Sequence, residues 1–230
     1  MIGGCGVRRF LVSKENVRDS DFTHGVGGQG AGEGEDGTSM LIREARASDA
    51  AHLVRFINMA ADDLPLHFWK GTVGPEGDPW ALGRERAARD TGNFSFRNAW
   101  LAEVDGEVAG CLLGYPTEDA PGPIDPDTPA IFVPLLELEA LAPGSWYLNV
   151  LATYEAFRGK GCGSALLAHA EDVAARAGRR SISLIAEDTH LDALRLYTAK
   201  GYHEVARRPV VKDDWRVDAR EWILFAKSVG

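Results

Sequence analysis

The stretch Ser145–Ala177 reads S-W-Y-L-N-V-L-A-T-Y-E-A-F-R-G-K-G-C-G-S-A-L-L-A-H-A-E-D-V-A-A-R-A, and the rest of the chain is read outward from it. Trp146 to Thr153 is apolar and rich in aromatic and β-branched residues, which suits a buried strand. Gly163 to Ala177 carries Leu166, Leu167, Ala170, Val173 and Ala174 at spacings of three and four, the pattern of an amphipathic helix. Between them lie Arg158, Gly159, Lys160, Gly161, Cys162 and Gly163. Glycine lets backbone approach a ligand closely and accepts positive φ. A helix opening behind such a turn presents unpaired N–H groups and the positive end of its dipole. Strand, glycine turn and helix therefore predict a cradle for phosphate or pyrophosphate, with Arg158 and Lys160 as cations at its rim. A tight turn that merely needs small residues is the plainer alternative. No Gly-Lys-Ser/Thr follows a four-residue gap and no third glycine stands at the dinucleotide offset, so neither nucleotide fingerprint is met.

Arg158, Gly161 and Gly163 satisfy Arg/Gln-x-x-Gly-x-Gly/Ala, and the segment resembles motif A of the GNAT N-acetyltransferase superfamily. About thirty residues on, D-A-L-R-L-Y-T-A-K-G-Y, Asp192 to Tyr202, is similar to that family's A-x-x-L-Y-x-x-x-G-F/Y segment. The resemblance spans Leu41 to Lys227. It implies acetyl-CoA as cosubstrate, its pyrophosphate on the backbone of Gly159, Lys160, Gly161, Cys162, Gly163 and Ser164 beside Arg158. It places the pantetheine arm along Leu151, Ala152 and Thr153. A family asparagine that contacts pantetheine falls at His190, which either hydrogen-bonds in its place or caps the next helix with Thr189. Tyr197 matches the family tyrosine that protonates the departing thiolate. A phenol with an ordinary pKa near 10 can serve as that acid, and the plainer reading is a core tyrosine beside Leu196. No general base is named; Asn149 is on the central strand, and Glu137 and Glu139 lie upstream.

The 230 residues fit one domain of about 190 residues with an arm. Hydrophobic content of 45% with 26% charged residues is ordinary for a globular protein, and the net charge of −9 disfavours a nucleic-acid role. Cys5, Cys111 and Cys162 form no C-x-x-C pair, which points to a reducing cytoplasm. Cys162 sits where a helix dipole lowers a thiol pKa, but a backbone-driven turn gives no reason for a nucleophile there. The histidines lack ligand spacing, so no metal is expected. No apolar run is long enough for a membrane span or a signal-peptide core.

Residues 1–39, rich in Gly and acid, read as a disordered arm, and a G-x-G-x-x-G at Gly25, Gly27 and Gly30 is discarded because no strand precedes it. From 40 to 230 a single GNAT N-acetyltransferase domain is expected. Its first strand runs from Leu41 to Ala45, and a helix over Asp49 to Ala60 is capped by Ser48. Asp62 to Trp80 reads as a long connection. A helix follows from Asp78-Pro79 to near Gly92, and Asp105-Gly106 makes a type I′ hairpin turn. A helix over Ile131 to Ala142, a strand Ser181 to Ala186, a helix His190 to Lys200 and two closing strands complete an α/β, mixed-sheet reading. The expected function is an acetyl-CoA-dependent N-acetyltransferase acting by direct attack of an amine. The alternative is a catalytically silent acyl-CoA-binding sensor. Its partner would be a small-molecule or peptide amine, with a homodimer left open and neither nucleic acid nor membrane involved.

Overall fold

The computed structural model describes residues 31–33 and 39–230. One eight-stranded sheet runs through it: β1 (Ala31–Glu33), β2 (Ser39–Glu44), β3 (Ala99–Val104), β4 (Glu107–Pro116), β5 (Trp146–Thr153), β6 (Ser181–Glu187), β7 (His203–Pro209) and β8 (Glu221–Ser228). The spatial order is β1-β2-β3-β4-β5-β6-β8-β7, antiparallel throughout except for the parallel β5–β6 pair. Six helices flank it: α1 (Ala50–Met59), α2 (Leu64–Val73), α3 (Pro79–Ala87), α4 (Val133–Glu139), α5 (Cys162–Arg176) and α6 (Leu191–Ala199). The mixed α/β architecture expected from the sequence is present. The arm expectation falls mostly outside the described residues; within it, β1 pairs antiparallel with β2.

Alternation along the strands divides the core between two faces. Ala102, Leu112, Trp146, Leu148, Ile182 and Leu184 pack against Leu166, Leu167, Ala170 and Ala174 of α5. Leu101, Cys111, Leu113 and Val150 pack on the other face against Leu53, Phe56 and Ile57 of α1 and Trp69 of α2. On β5 the even residues Trp146 and Leu148 lie on the α5 face, yet Val150 lies on the α1 face. A bulge causes the reversal: Leu113 faces Val150 while Gly114 faces Leu148, so Asn149 is an extra residue. Such a bulge bends the strand and re-aims the side chains beyond it. Gly114 is required here, because a Cβ at that position would run into the Trp146 ring.

The bend sets up the site. β5 and β6 pair only through Trp146–Ile182, Tyr147–Ser183 and Leu148–Leu184, and beyond them no pairing continues. The closed end is pinned by Ser145 Oγ and Ser183 Oγ, 2.7 Å apart, with Ser145 also donating to Ala142 O at 2.8 Å.

Several element boundaries differ from the sequence reading. Leu64–Val73 is a helix, not part of a connection. Ser48 does not cap α1; a 3-10 turn over Ala47–Asp49 precedes it, and the Asp49 carboxylate accepts from Arg46 N at 2.8 Å and from Arg43. The helix expected over Ile131 to Ala142 is split into a 3-10 turn, Ala130–Phe132, and α4. α3 ends at Ala87, and its Asp78 cap accepts from Trp80 N at 2.9 Å as expected. Asp105 and Gly106 both take positive φ, 52° and 84°, the type I′ signature.

Candidate functional site

Where β5 and β6 part, a cleft of about 970 Å³ opens. Leu148, Asn149, Leu151, Ala152 and Thr153 line one wall, and Leu184, Ile185 and Ala186 line the other. The glycine turn and the start of α5 close one end, and α6 contributes Leu196 and Tyr197. Of the residues singled out from the sequence, Leu151, Ala152, Thr153, Arg158, Gly159, Gly161, Cys162, Gly163, Ser164, His190 and Tyr197 all line this cleft. Lys160 does not: its ammonium lies 5.1 Å from the centre of the Phe157 ring.

Gly159 and Gly161 hold φ of 74° and 82°, the left-handed region that favours glycine. Gly161 is the N-cap of α5, and Ala165 N–H is the first to donate back, to Gly161 O at 3.0 Å. The amides of Cys162, Gly163 and Ser164 therefore stand at the open, positive end of a 15-residue helix. A Cβ on Gly163 would meet only Leu196 Cδ2, at 3.5 Å, so no protein packing demands glycine there. The open space belongs to the cleft, which suits close approach of a pyrophosphate. The Cys162 side chain turns inward and is buried, and burial pushes its thiol up rather than letting the helix dipole lower it.

Tyr197 is 6% exposed, with its ring 6.0 Å from both Tyr202 and Phe225. Burial holds its phenol well above the ordinary value, so it stays protonated. Asn149, the bulged residue, donates to Tyr115 Oη at 2.8 Å. Glu137 is paired with Arg208 at 2.6 Å.

A second cavity, of about 1190 Å³, adjoins the cleft and shares Met59, Asp62, Arg158, Thr189 and His190 with it. Its walls carry Asp62, Asp63, Asp213, Asp214 and Asp218 against the cations Arg158, Lys212 and Arg216. Asp62 and Asp63 form the α1–α2 turn with φ of 39° and 66°, two successive residues in a conformation costing about 1–2 kcal/mol each. The turn is held from outside: Asn58 Nδ2 donates to the Asp63 carboxylate, Asn58 Oδ1 accepts from Leu66 N at 3.0 Å, and Trp215 Nε1 donates to Asp62 O at 2.8 Å. Trp215 in turn stacks on Trp222. The cavity's aspartates come from loop residues 62–63 and 212–218.

His190 makes no side-chain cap for α6, so that reading is set aside. Its Nε2 lies 3.2 Å from Asp62 Oδ1 and 3.8 Å from Glu187 Oε2. Glu187 is a residue the sequence reading passed over, having ended the strand at Ala186. It is 1% exposed, and its carboxyl is pushed up to about 8 by burial and by Asp62 beside it. A carboxylate continuing directly from the apolar run Ile182 to Ala186 is the signal that could have found it.

The family model described as "Acetyltransferase (GNAT) family" matches residues 58–202, well over half of the chain. The chain belongs to that family. An acetyltransferase of known structure is 25% identical, covering 83% of this chain and 100% of its own, with a TM-score of 0.59. An N-acetyltransferase from Staphylococcus aureus Mu50 (19% identity, 81% and 99% coverage, TM-score 0.56) shares the fold. So does the Drosophila melanogaster polyamine N-acetyltransferase (14% identity, 82% and 99% coverage, TM-score 0.55). No curated protein matches the sequence.

Proposed function

We propose that the chain is an acetyl-CoA-dependent N-acetyltransferase that acylates an amine by direct attack. The observation that carries this is the single cleft in which splayed β5 and β6, the Gly159–Gly163 turn, the α5 N-terminus and Tyr197 meet. Acetyl-CoA would supply a thioester. The free peptide edge of Leu151 to Thr153 would align an extended amide-bearing arm, and an N–H there would polarise a carbonyl oxygen. The amides of Cys162, Gly163 and Ser164, with Arg158, would hold the pyrophosphate. Tyr197 would donate its phenolic proton to the leaving sulfur, and burial keeps that proton in place at neutral pH. Direct attack is favoured over a covalent acyl-enzyme because the cleft's cysteine, Cys162, is buried with its thiol pushed up.

The second cavity would take the acceptor. Five aspartates against three basic residues suit an acceptor that carries a positive charge beside the neutral amine that attacks, whether small molecule or peptide. A binding module without turnover is the alternative, favoured by the near-complete burial of Tyr197. Calorimetry with acetyl-CoA, followed by CoA-release assays over amines, polyamines, amino acids, aminoglycosides and peptides, decides between them. Tight binding with turnover of at least one amine is expected. Binding with no turnover across the panel would leave the binding module.

A further inference from the structure

The junction between the two cavities holds three potential ligands that the acyl-transfer reading does not use together. Asp62 comes from the α1–α2 turn, Glu187 from the last position of β6 and His190 from the residue before α6. One donor atom from each lies within 4.8 Å of the other two. The same imidazole nitrogen, His190 Nε2, faces both carboxylates, at 3.2 Å and 3.8 Å. Ligands of a tetrahedral zinc ion, bound at about 2.0–2.2 Å, stand roughly 3.4 Å apart along each edge. The two separations from His190 Nε2, 3.2 Å and 3.8 Å, bracket that edge.

An independent observation comes from Glu187. Glu187 is 1% exposed, and neither of its oxygens has a partner at hydrogen-bond geometry, although Asp62 and Thr189 lie close enough to act on its carboxyl. Among the described residues, no lysine or arginine forms an ion pair with Glu187 or Asp62. A buried carboxylate left this way is costly unless a cation or a proton joins it. In the deprotonated form that metal ligands take, two carboxylates and an imidazole carry a formal charge of −2, which matches a divalent ion. Mixed nitrogen and oxygen donors suit zinc better than magnesium or calcium. The cluster escapes the histidine-spacing rule because its ligands come from three elements.

We propose that Asp62, Glu187 and His190 form a three-ligand site for one divalent cation of zinc type at the junction of the two cavities. The fourth position would be left to water or to a group entering from a cavity, as both cavities reach Asp62 and His190. The proposal stands apart from the acyl-transfer reading and does not need it.

The test is calorimetric titration of the chelator-stripped full chain with ZnCl2 and separately with MgCl2, and visible spectroscopy after CoCl2 addition. One Zn²⁺ per chain, little Mg²⁺ binding and the intense bands of four-coordinate Co²⁺ are expected. Glu187→Gln, Asp62→Asn and His190→Ala should each weaken zinc by more than the roughly 10–100-fold that loss of an outer-shell partner costs. Thermal melts in chelator establish that the variants fold; Glu187→Gln keeps the shape while removing the buried charge. Absence of stoichiometric zinc binding to the wild-type chain would overturn the site. So would unchanged zinc affinity in all three folded variants, which would put the ion elsewhere. A parallel acetyl-CoA titration separates the two readings: zinc bound without acetyl-CoA would sink acyl transfer and leave the metal site standing.

Discussion

The cleft between β5 and β6 and the acidic cavity beside it share a boundary but are built from different materials. Main chain makes most of the first: an open strand edge, a turn of left-handed glycines and the first amides of a helix. Side chains make most of the second, gathered from the Asp62–Asp63 turn, the Thr189–His190 junction and the loop from Lys212 to Asp218. A main-chain site tolerates changes of side chain as long as its torsions and open space survive. A side-chain site is sensitive to each charge but does not depend on glycine. Substitutions on the two sides should therefore fail in different ways.

Tyr197→Phe should have the largest effect, because the proposed mechanism gives its hydroxyl the task of protonating the leaving thiolate. Turnover is expected to fall by about 10²-fold or more, in kcat, with acetyl-CoA affinity held within a few fold. Unchanged kcat would make Tyr197 a packing residue, and the cleft would then be main chain alone. Its pH profile sharpens the point. Burial raises the phenol, so the acid form persists to higher pH than an exposed tyrosine allows. No loss of kcat from phenol ionisation should appear up to the ordinary value near pH 10.

Next comes Gly163→Val, expected to weaken acetyl-CoA binding by roughly 30-fold, about 2 kcal/mol. Its Cβ meets only Leu196, so the melting temperature should stay near wild type. Full affinity by calorimetry would remove the pyrophosphate from this turn. On the acidic side, Asp213→Asn with Asp218→Asn should raise KM for a cationic amine by a few fold, more at low salt, and leave acetyl-CoA affinity alone. A change in donor affinity would show that the two cavities are not separable. The smallest effect belongs to a chain started at Met40. It loses β1 and Ser39, the first residue of β2, at the sheet edge farthest from the cleft among the strands on that side, and acetyl-CoA affinity should not move.

The same contrast explains what could be read in advance. β5 has the bounds expected of it, and α5 starts one residue earlier than expected, because a buried strand, a glycine turn and an amphipathic helix are local patterns. α2 was missed for a tertiary reason. It begins behind a left-handed Asp63, takes Pro65 in its first turn and is supported by Asn58 of the preceding helix. Its buried residues Leu64 and Trp69 serve two different clusters, which blurs the single apolar stripe that marks a surface helix. The acidic cavity was illegible because nothing local announces that Trp215 will dock on Trp222 and draw the Asp62 carbonyl to itself. Glu187 and His190 lie three apart in sequence, but Asp62, which completes their cluster, comes from a turn far earlier in the chain.

The short pairing of β5 with β6 has a mechanical consequence. β1 to β5 form one half of the sheet and β6 to β8 the other, and three residue pairs join them through the sheet plane. The serine pair at Ser145 and Ser183 is a rivet at the closed end of that seam. An extended ligand lying in the open end would be the missing slat, bonded to both halves at once. Filling the seam would turn two coupled plates into one continuous panel. Amide exchange along Asn149 to Thr153 and Ile185 to Glu187 would slow together on filling, reporting on panel stiffness instead of local contact.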